Sequence, residues 1–464
     1  MATQQTLTST NPATGLVLEQ YPALTADEIK ATIDLAARAW TSWRQTRINL
    51  RTKMMLEVAA KLRENKQPLA EMMSMEMGKP IKEGWGEVEK AAFCCEHYAQ
   101  NAQAYLESDS IESDAKDSYV TYQPIGALLG ILPWNAPVWL AFRFLAPALM
   151  AGNTCVVKHD PHVQGCSKMI VDIIQQVCGR LKVPDANIVV NLPAANSDVE
   201  AAIRHPAIQA ISFTGSSAAG GKVAAIAASE IKHAVLELGG SDPCIVMADA
   251  ADLEKAADTV VLSRIINAGQ SCIAAKRILV EAPIYDQFVE MLRVRMEKLV
   301  VSDPLLQETD VGPIARKDLL DNLHRQVTTS IAEGAKCLLG GESLSRPGLY
   351  YPPTLLADVK PGMCVFEEET FGPVMAVMKV DSFEQALEVA NDTQYGLGAS
   401  IWTEKPLNKR HAILNLQAGQ IAINGIVKTD PRLPSGGIKK SGYGRELGPH
   451  GIREFTNAKQ VWIG

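Results

Sequence analysis

No two cysteines in this chain are spaced Cys-x-x-Cys, and no two histidines are spaced His-x-x-x-His. The commonest zinc and iron–sulfur signatures are therefore missing. His159, His162 and Cys166 lie close together, but no fourth ligand stands near them, so no structural metal is expected. The N-terminus, Met1-Ala2-Thr3-Gln4-Gln5, has neither a basic segment nor an apolar run, so no signal peptide is read. The nine cysteines are odd in number and follow no disulfide framework. Without a signal, reduced thiols in a cytoplasmic protein are the expectation.

A large excess of charge of either sign is also missing. The chain has 45 Lys and Arg against 52 Asp and Glu, interspersed, for a net charge of -7. No footprint for nucleic acid or an anionic membrane follows. An anionic substrate stays open, because one local arginine suffices. No charge at all occurs from Val120 to Phe142, a length that imitates a membrane span. Pro124, Pro133, Pro137 and Asn135 interrupt it, and two buried strands and a turn fit better. No Gly-x-Gly-x-x-Gly motif opens a βα unit. Gly215 to Lys222 is one residue too long for a Walker loop, and Gly442-Tyr443-Gly444 lies too near the C-terminus.

What is present is a soluble globular composition, 47% hydrophobic and 21% charged, over 464 residues. That length predicts two or three domains. Thr25 and Glu28 form a capping box ahead of Ile29, Ile33, Ala36, Ala37 and Trp40 at helical spacing. A second helix is expected from about Leu50 to Asn65, and a third, broken near Met77-Gly78-Lys79-Pro80, leads to Cys94-Cys95. These helices are read as packing elements without chemistry. From Ser118 onward strands alternate with helices. Strands are predicted at Tyr119–Tyr122, Ala127–Leu132, Thr154–Lys158, Asn187–Asn191, Gln209–Phe213 and Ala234–Leu236. A second such series begins at Cys244, after a break near Gly239-Gly240. Two parallel, doubly wound α/β systems follow from that alternation.

Four stretches carry candidate chemistry. Gly269-Gln270-Ser271-Cys272 follows a predicted helix and presents a thiol, either a nucleophile or a structural cysteine. Glu237 closes the apolar run His233-Ala234-Val235-Leu236; it is either a desolvated general base or a solvated loop carboxylate. Asn135, in Pro133-Trp134-Asn135, either makes an Asx-turn or donates an amide N–H to an oxyanion. Phe213-Thr214-Gly215-Ser216 joins a strand to a helix, where a pyrophosphate or merely an ordinary turn would sit.

These stretches, with Val157-Lys158, Glu237-Leu238-Gly239-Gly240, Glu368-Glu369-Thr370-Phe371-Gly372-Pro373 and Gly436-Gly437-Ile438-Lys439-Lys440-Ser441-Gly442, occur in an order that resembles the aldehyde dehydrogenase superfamily from end to end. Within it the chain is most similar to the bacterial succinate-semialdehyde dehydrogenases. The resemblance implies an α/β fold of two doubly wound domains plus a small β oligomerisation arm. Residues 1–105 and 123–238 would bind the cofactor, 239–440 would form the catalytic domain, and 106–122 with 441–464 the arm of a homodimer or homotetramer. It implies Cys272 as nucleophile, Asn135 and the Cys272 N–H as oxyanion donors, and Glu237 as the base that hydrolyses the thioester. Trp134, Lys158, Gly215, Ser216, Leu238, Glu369 and Phe371 would line the site of NAD or NADP, Lys158 and Glu369 holding the two riboses.

Three departures bear on specificity. Lys158 is followed by His159-Asp160-Pro161, without the glutamate that grips the adenosine 2′-OH in NAD enzymes, so both cofactors remain open. Leu192-Pro193-Ala194-Ala195-Asn196 lacks the usual glycines, and Ser435 replaces a frequent aromatic. For the substrate, Arg143 matches an arginine that binds the distal carboxylate of succinate semialdehyde, because a guanidinium fork suits a carboxylate. A second family arginine is replaced by Ile266, and Arg432, Lys428 or Thr429 would compensate. Three rivals are a coenzyme A-acylating relative, an inactive binding relative and a cysteine hydrolase. Glu237 opposes the first, the intact set of motifs the second, and the lack of a histidine near Cys272 in sequence the third.

Overall fold

The computed structural model describes residues 5–464. Two twisted sheets carry the architecture. A six-stranded sheet runs in the order Gly442–Tyr443, His233–Glu237, Ile208–Thr214, Ala127–Leu132, Thr154–His159, Val189–Asn191. All but the first strand are parallel. A seven-stranded sheet runs Lys336–Leu339, Thr354–Ala357, Val374–Val380, Ala275–Glu281, Asp242–Val246, Gly398–Trp402, Gln420–Ile423, parallel apart from its first strand. Buried on both faces, these strands read as unbroken apolar runs, Ala127–Leu132 being buried at all six positions. The fold is the expected α/β one.

The strand order of the first sheet reverses between Ala127–Leu132 and Ile208–Thr214. Ligands of open parallel sheets lie outside the carboxyl ends of the strands at such a reversal. The loop Pro133–Asn135 and the turn Gly215–Ser216 leave from those two ends. The second sheet meets this edge with the opposite polarity. Cys272 precedes the strand Ala275–Glu281 and Glu369 precedes Val374–Val380, so amino ends of one sheet face carboxyl ends of the other.

The Thr25–Glu28 capping box forms as expected and starts the helix Ala26–Trp43. Helices follow at Ile48–Glu64, Lys66–Met77 and Ile81–Tyr105. The third and fourth are separated at Gly78, whose φ of 80° ends one helix before Pro80 starts the next. The charge-free stretch becomes parts of two strands, a turn and the start of the helix Pro137–Ala151, and no helix among the described residues is long and apolar enough to cross a membrane. Strands Asp109–Ser110, Asp117–Pro124 and Thr456–Ile463 form a separate antiparallel sheet. The C-terminal segment does not go straight to it. Gly442–Tyr443 first pairs antiparallel with Leu236 and Glu237, and the helix Gly448–Glu454 packs on Ile81–Tyr105 and Pro137–Ala151.

The helix Pro137–Ala151 is aimed by one buried carboxylate. Glu87 accepts the free N–H groups of Val138 (2.9 Å) and Trp139 (3.0 Å), satisfying donors that a helix start leaves unpaired. Its own charge is matched by buried Lys79. Removing one partner strands the other charge, a loss of about 3–5 kcal/mol. Glu87→Ala should therefore lower the unfolding temperature strongly, and Lys79→Met with Glu87→Gln should restore much of it. An unchanged unfolding temperature in Glu87→Ala would remove this pair from the support of the site.

Candidate active site

Between the sheets lies a cavity of about 1100 Å³. It reaches all the residues expected at the catalytic and cofactor positions: Cys272, Glu237, Asn135, Trp134, Lys158, Gly215, Ser216, Leu238, Glu369 and Phe371. Their placement begins with the turn before the thiol. Asn267, Ala268 and Gly269 are consecutively left-handed, with φ of 57°, 53° and 74°. L-residues pay about 1 kcal/mol or more for that conformation, so the surroundings must hold it. They do so on both sides of Ala268. The Glu83 carboxylate accepts the Asn267 N–H at 2.7 Å, and Arg264 Nη2 donates to the carbonyls of Gly269 (2.7 Å) and Gly372 (2.6 Å). A Cβ on Gly269 would stand 2.2 Å from the Gly372 oxygen, so no other residue fits. Asn267 Nδ2 donates to the Asn135 carbonyl at 2.8 Å, and Asn135 Nδ2 to the Gln270 carbonyl at 3.1 Å. The amide and the thiol turn thus fix one another.

Cys272 is partly open to the cavity, whereas the other cysteines are buried, apart from exposed Cys337. Burial pushes its thiol up to about 11, against the lowering pull of Lys276 and Arg143. The lowered pKa of a resting thiolate is absent, because desolvation outweighs both cations. Lys276 spends its ammonium on the carbonyls of Cys272 (2.6 Å) and Ser271 (3.0 Å) and faces Glu369 at 3.4 Å.

Glu237 is a buried carboxyl at the end of its strand, not a solvated loop group. Burial raises its pKa to about 7, with Arg143 opposing and Glu446 adding to the rise. One oxygen, Oε1, has no hydrogen-bond partner in the protein. A buried carboxyl with a free oxygen and a pKa near neutrality is equipped to take a proton.

Arg143 is 3% exposed, and its guanidinium faces Glu446 and, at 3.6 Å, Glu237, with Nη2 also donating to Thr214 Oγ1 at 3.3 Å. It lines the cavity, but two carboxylates of the protein already share its charge. The expectation that it is a free carboxylate grip is corrected on that ground. Arg432 is corrected too. It is exposed, turned to Asp430 at 2.6 Å, and absent from the cavity wall. Thr429 does line the cavity, as do Lys428, Ile266 and Ser435, the last with an unpartnered buried hydroxyl.

On the other side, Lys158 is buried and its ammonium meets only neutral oxygens, Asn196 Oδ1 at 2.9 Å and the His159 carbonyl at 3.2 Å. Burial lowers its pKa to about 8. Ser216 caps the helix Ser217–Ser229 by accepting the Ala219 N–H at 3.3 Å, which turns that helix's N-terminus, with Lys222, to the cavity. Trp134 and Phe371 meet edge to face, their centroids 5.8 Å apart. Two cations, a helix start and an aromatic pair suit a nucleotide with phosphates and a flat ring. Glu369 accepts the Gly240 N–H at 3.0 Å and stays partly exposed.

The helix Ile81–Tyr105 looks like packing alone in the sequence, yet Glu83, Gly86, Glu87 and Lys90 of that helix line the cavity. The signal was there in the charges at 83, 87 and 90, which share one helical face beside two glycines.

Known proteins agree with this architecture. Residues 1–461 match the Aldehyde dehydrogenase family. The chain is 44% identical to a probable succinate-semialdehyde dehydrogenase [NADP(+)] of Synechocystis sp. over 453 residues, covering 98% of both chains. It is 44% identical over 456 residues to succinate-semialdehyde dehydrogenase [NADP(+)] 1 of Mycobacterium tuberculosis, again covering 98% of both. Among solved structures, the succinic semialdehyde dehydrogenase of Streptococcus pyogenes in complex with NADP+ superposes with a TM-score of 0.95 at 31% identity, covering 98% of this chain and 99% of that one. Lactaldehyde dehydrogenase from Escherichia coli gives a TM-score of 0.95 at 33% identity, covering 100% of this chain and 96% of that one. A thiol, a buried carboxyl and an amide converging on one nucleotide-sized cavity therefore belong to a chain of the aldehyde dehydrogenase family.

Proposed function

We propose that this protein oxidises a short carboxy-aldehyde, succinate semialdehyde to succinate, with NAD or NADP as acceptor, as a cytoplasmic homodimer or homotetramer. The observation that carries the chemistry is the free Glu237 oxygen on the same cavity wall as the Cys272 thiol. The names of relatives 44% identical along nearly the whole chain support the substrate, and they favour NADP. The absence of a glutamate three residues after Lys158 agrees with that cofactor. The exposed Trp462 and Ile463 on the edge strand Thr456–Ile463 support assembly.

Glu237 takes the thiol proton, and Cys272 Sγ bonds to the aldehyde carbon. The Asn135 amide and the Cys272 N–H meet the oxyanion that forms. A bound nicotinamide supplies the hydride acceptor, and Lys158, Ser216, Trp134, Glu369 and Phe371 would hold its nucleotide. Glu237 passes the thiol proton to solvent and then removes a proton from water as it attacks the Cys272 thioester, returning that proton to the departing sulfur. The carbon–sulfur bond then breaks and the acid leaves.

Cys272→Ser should abolish oxidation and keep cofactor binding, measured by fluorescence titration; retained turnover would sink the mechanism. Glu237→Gln removes the group that takes the thiol proton as well as the one that activates water, so rapid mixing should show neither a fast burst of reduced cofactor nor steady turnover; a full burst of about one reduced cofactor per site would confine Glu237 to hydrolysis. The pH dependence should follow the charges around Glu237. The base works only when deprotonated, so turnover should rise with pH to a plateau above a midpoint near 7. Arg143→Met removes a positive neighbour and should move the midpoint up, whereas Glu446→Gln removes a negative one and should move it down. Shifts of the same sign would refute the electrostatic account. For the substrate, kcat/KM should favour succinate semialdehyde over butanal, the uncharged aldehyde of equal chain length. Equal values would make this a general aldehyde dehydrogenase.

A further inference from the structure

With Arg143 already shared between two carboxylates, the cavity needs another group to receive a negative substrate end. Lys90 lines the cavity and, among the described residues, has no carboxylate partner of its own. It stands on the inward face of the helix Ile81–Tyr105, its ammonium 4.2 Å from the centre of the Trp139 ring and 2.5 Å from Thr429 Oγ1. Lys90, Trp139 and Thr429 all line the cavity. Among the described residues Lys90 makes no ion pair, although Lys79, also on this wall, has one and Arg143 two. The charges and titratable groups that act on it are Arg143 on the helix Pro137–Ala151, Glu87 and Cys94 on its own helix, and Asp430 on the loop after Thr429. Arg143, which acts on Lys90, also acts on Cys272 and Glu237, and all four line the one cavity.

We infer that Lys90 is the residue that selects the substrate, its ammonium and the Thr429 hydroxyl gripping the distal carboxylate of an ω-carboxy aldehyde while the aliphatic chain lies along Trp139. The inference rests on the carboxy-aldehyde reading above and names the residue behind it. Burial depresses the ammonium's pKa to about 8, a cost that an incoming carboxylate offsets. The cation–π contact keeps the ammonium in place without neutralising it. The hydroxyl, whose oxygen accepts from Lys90, keeps its own O–H to donate to the second carboxylate oxygen.

The test compares succinate semialdehyde with butanal on wild type, Lys90→Met, Lys90→Arg and Thr429→Val. Lys90→Met should lower kcat/KM for the semialdehyde about 10- to 150-fold, the range of one charge-assisted hydrogen bond, chiefly through KM. It should leave butanal oxidation unchanged, which also reports an intact fold. Lys90→Arg should recover part of the preference, and Thr429→Val should weaken it less than Lys90→Met. If wild type prefers the acid and Lys90→Met keeps that preference, this inference falls and the carboxy-aldehyde reading stands. If wild type shows no preference, both fall. Equal losses on the two aldehydes would make Lys90 structural and overturn the selection role. The variants bind NADP with wild-type affinity if they act only on the substrate side, and a shared loss of that affinity would count against them.

Discussion

The site depends on one guanidinium held between two buried carboxylates. Arg143 comes from the helix that follows Asn135, Glu237 from the end of a strand, and Glu446 from the returning C-terminal segment. Three charges out of water are costly, and the attraction of one cation for two anions only partly offsets the desolvation. The arrangement is tolerable because Glu237 sheds its charge near neutrality, with a pKa of about 7. The condition that limits the folding cost is thus the one a general base requires. It also explains the path of the chain's end. Pairing Gly442–Tyr443 against Leu236 and Glu237 brings Glu446 to Arg143, where its other oxygen accepts from Ser212 Oγ at 3.1 Å.

Much of this was legible in the sequence where local signals are strong. Ala127–Leu132 is an uninterrupted apolar run, and the strand forms over those six residues. The Thr25–Glu28 box sets the first helix, because it satisfies backbone donors whatever the surroundings. The order of turns after strands located Asn135, Gly215 and Glu237, since in a doubly wound sheet the loops at one end converge. Cys272 was located by its motif alone. The three left-handed residues before it have no local cause, and their geometry is imposed by Arg264, Glu83 and Asn135 from three separate elements.

What the sequence hid were pairings between distant charges. Arg143 reads as a free arginine in an apolar helix until Glu446, more than 300 residues later, is brought against it. Arg432 stands two residues from an aspartate, and that short-range pair keeps it on the surface. Lys90 and Glu83 sit on a helix whose periodicity looks like packing, and its cavity face becomes visible only once Pro137–Ala151 lies across it. Periodicity tells which face turns inward. It does not tell whether that face meets side chains or a cavity.

The thiol's high pKa sets the remaining constraint on the chemistry. Moving a proton from Cys272, at about 11, to Glu237, at about 7, costs about 5 kcal/mol at about 1.4 kcal/mol for each pK unit. A turnover of about 10 per second corresponds to a barrier of about 16 kcal/mol. The proton transfer takes about a third of that and leaves about 11 kcal/mol for attack on the carbonyl. A resting thiol is therefore compatible with an active enzyme. It also protects the enzyme, because oxidants and stray electrophiles react with the thiolate. Burial keeps the Cys272 thiol protonated near neutrality, and in the proposed mechanism Glu237, on the same cavity wall, takes that proton.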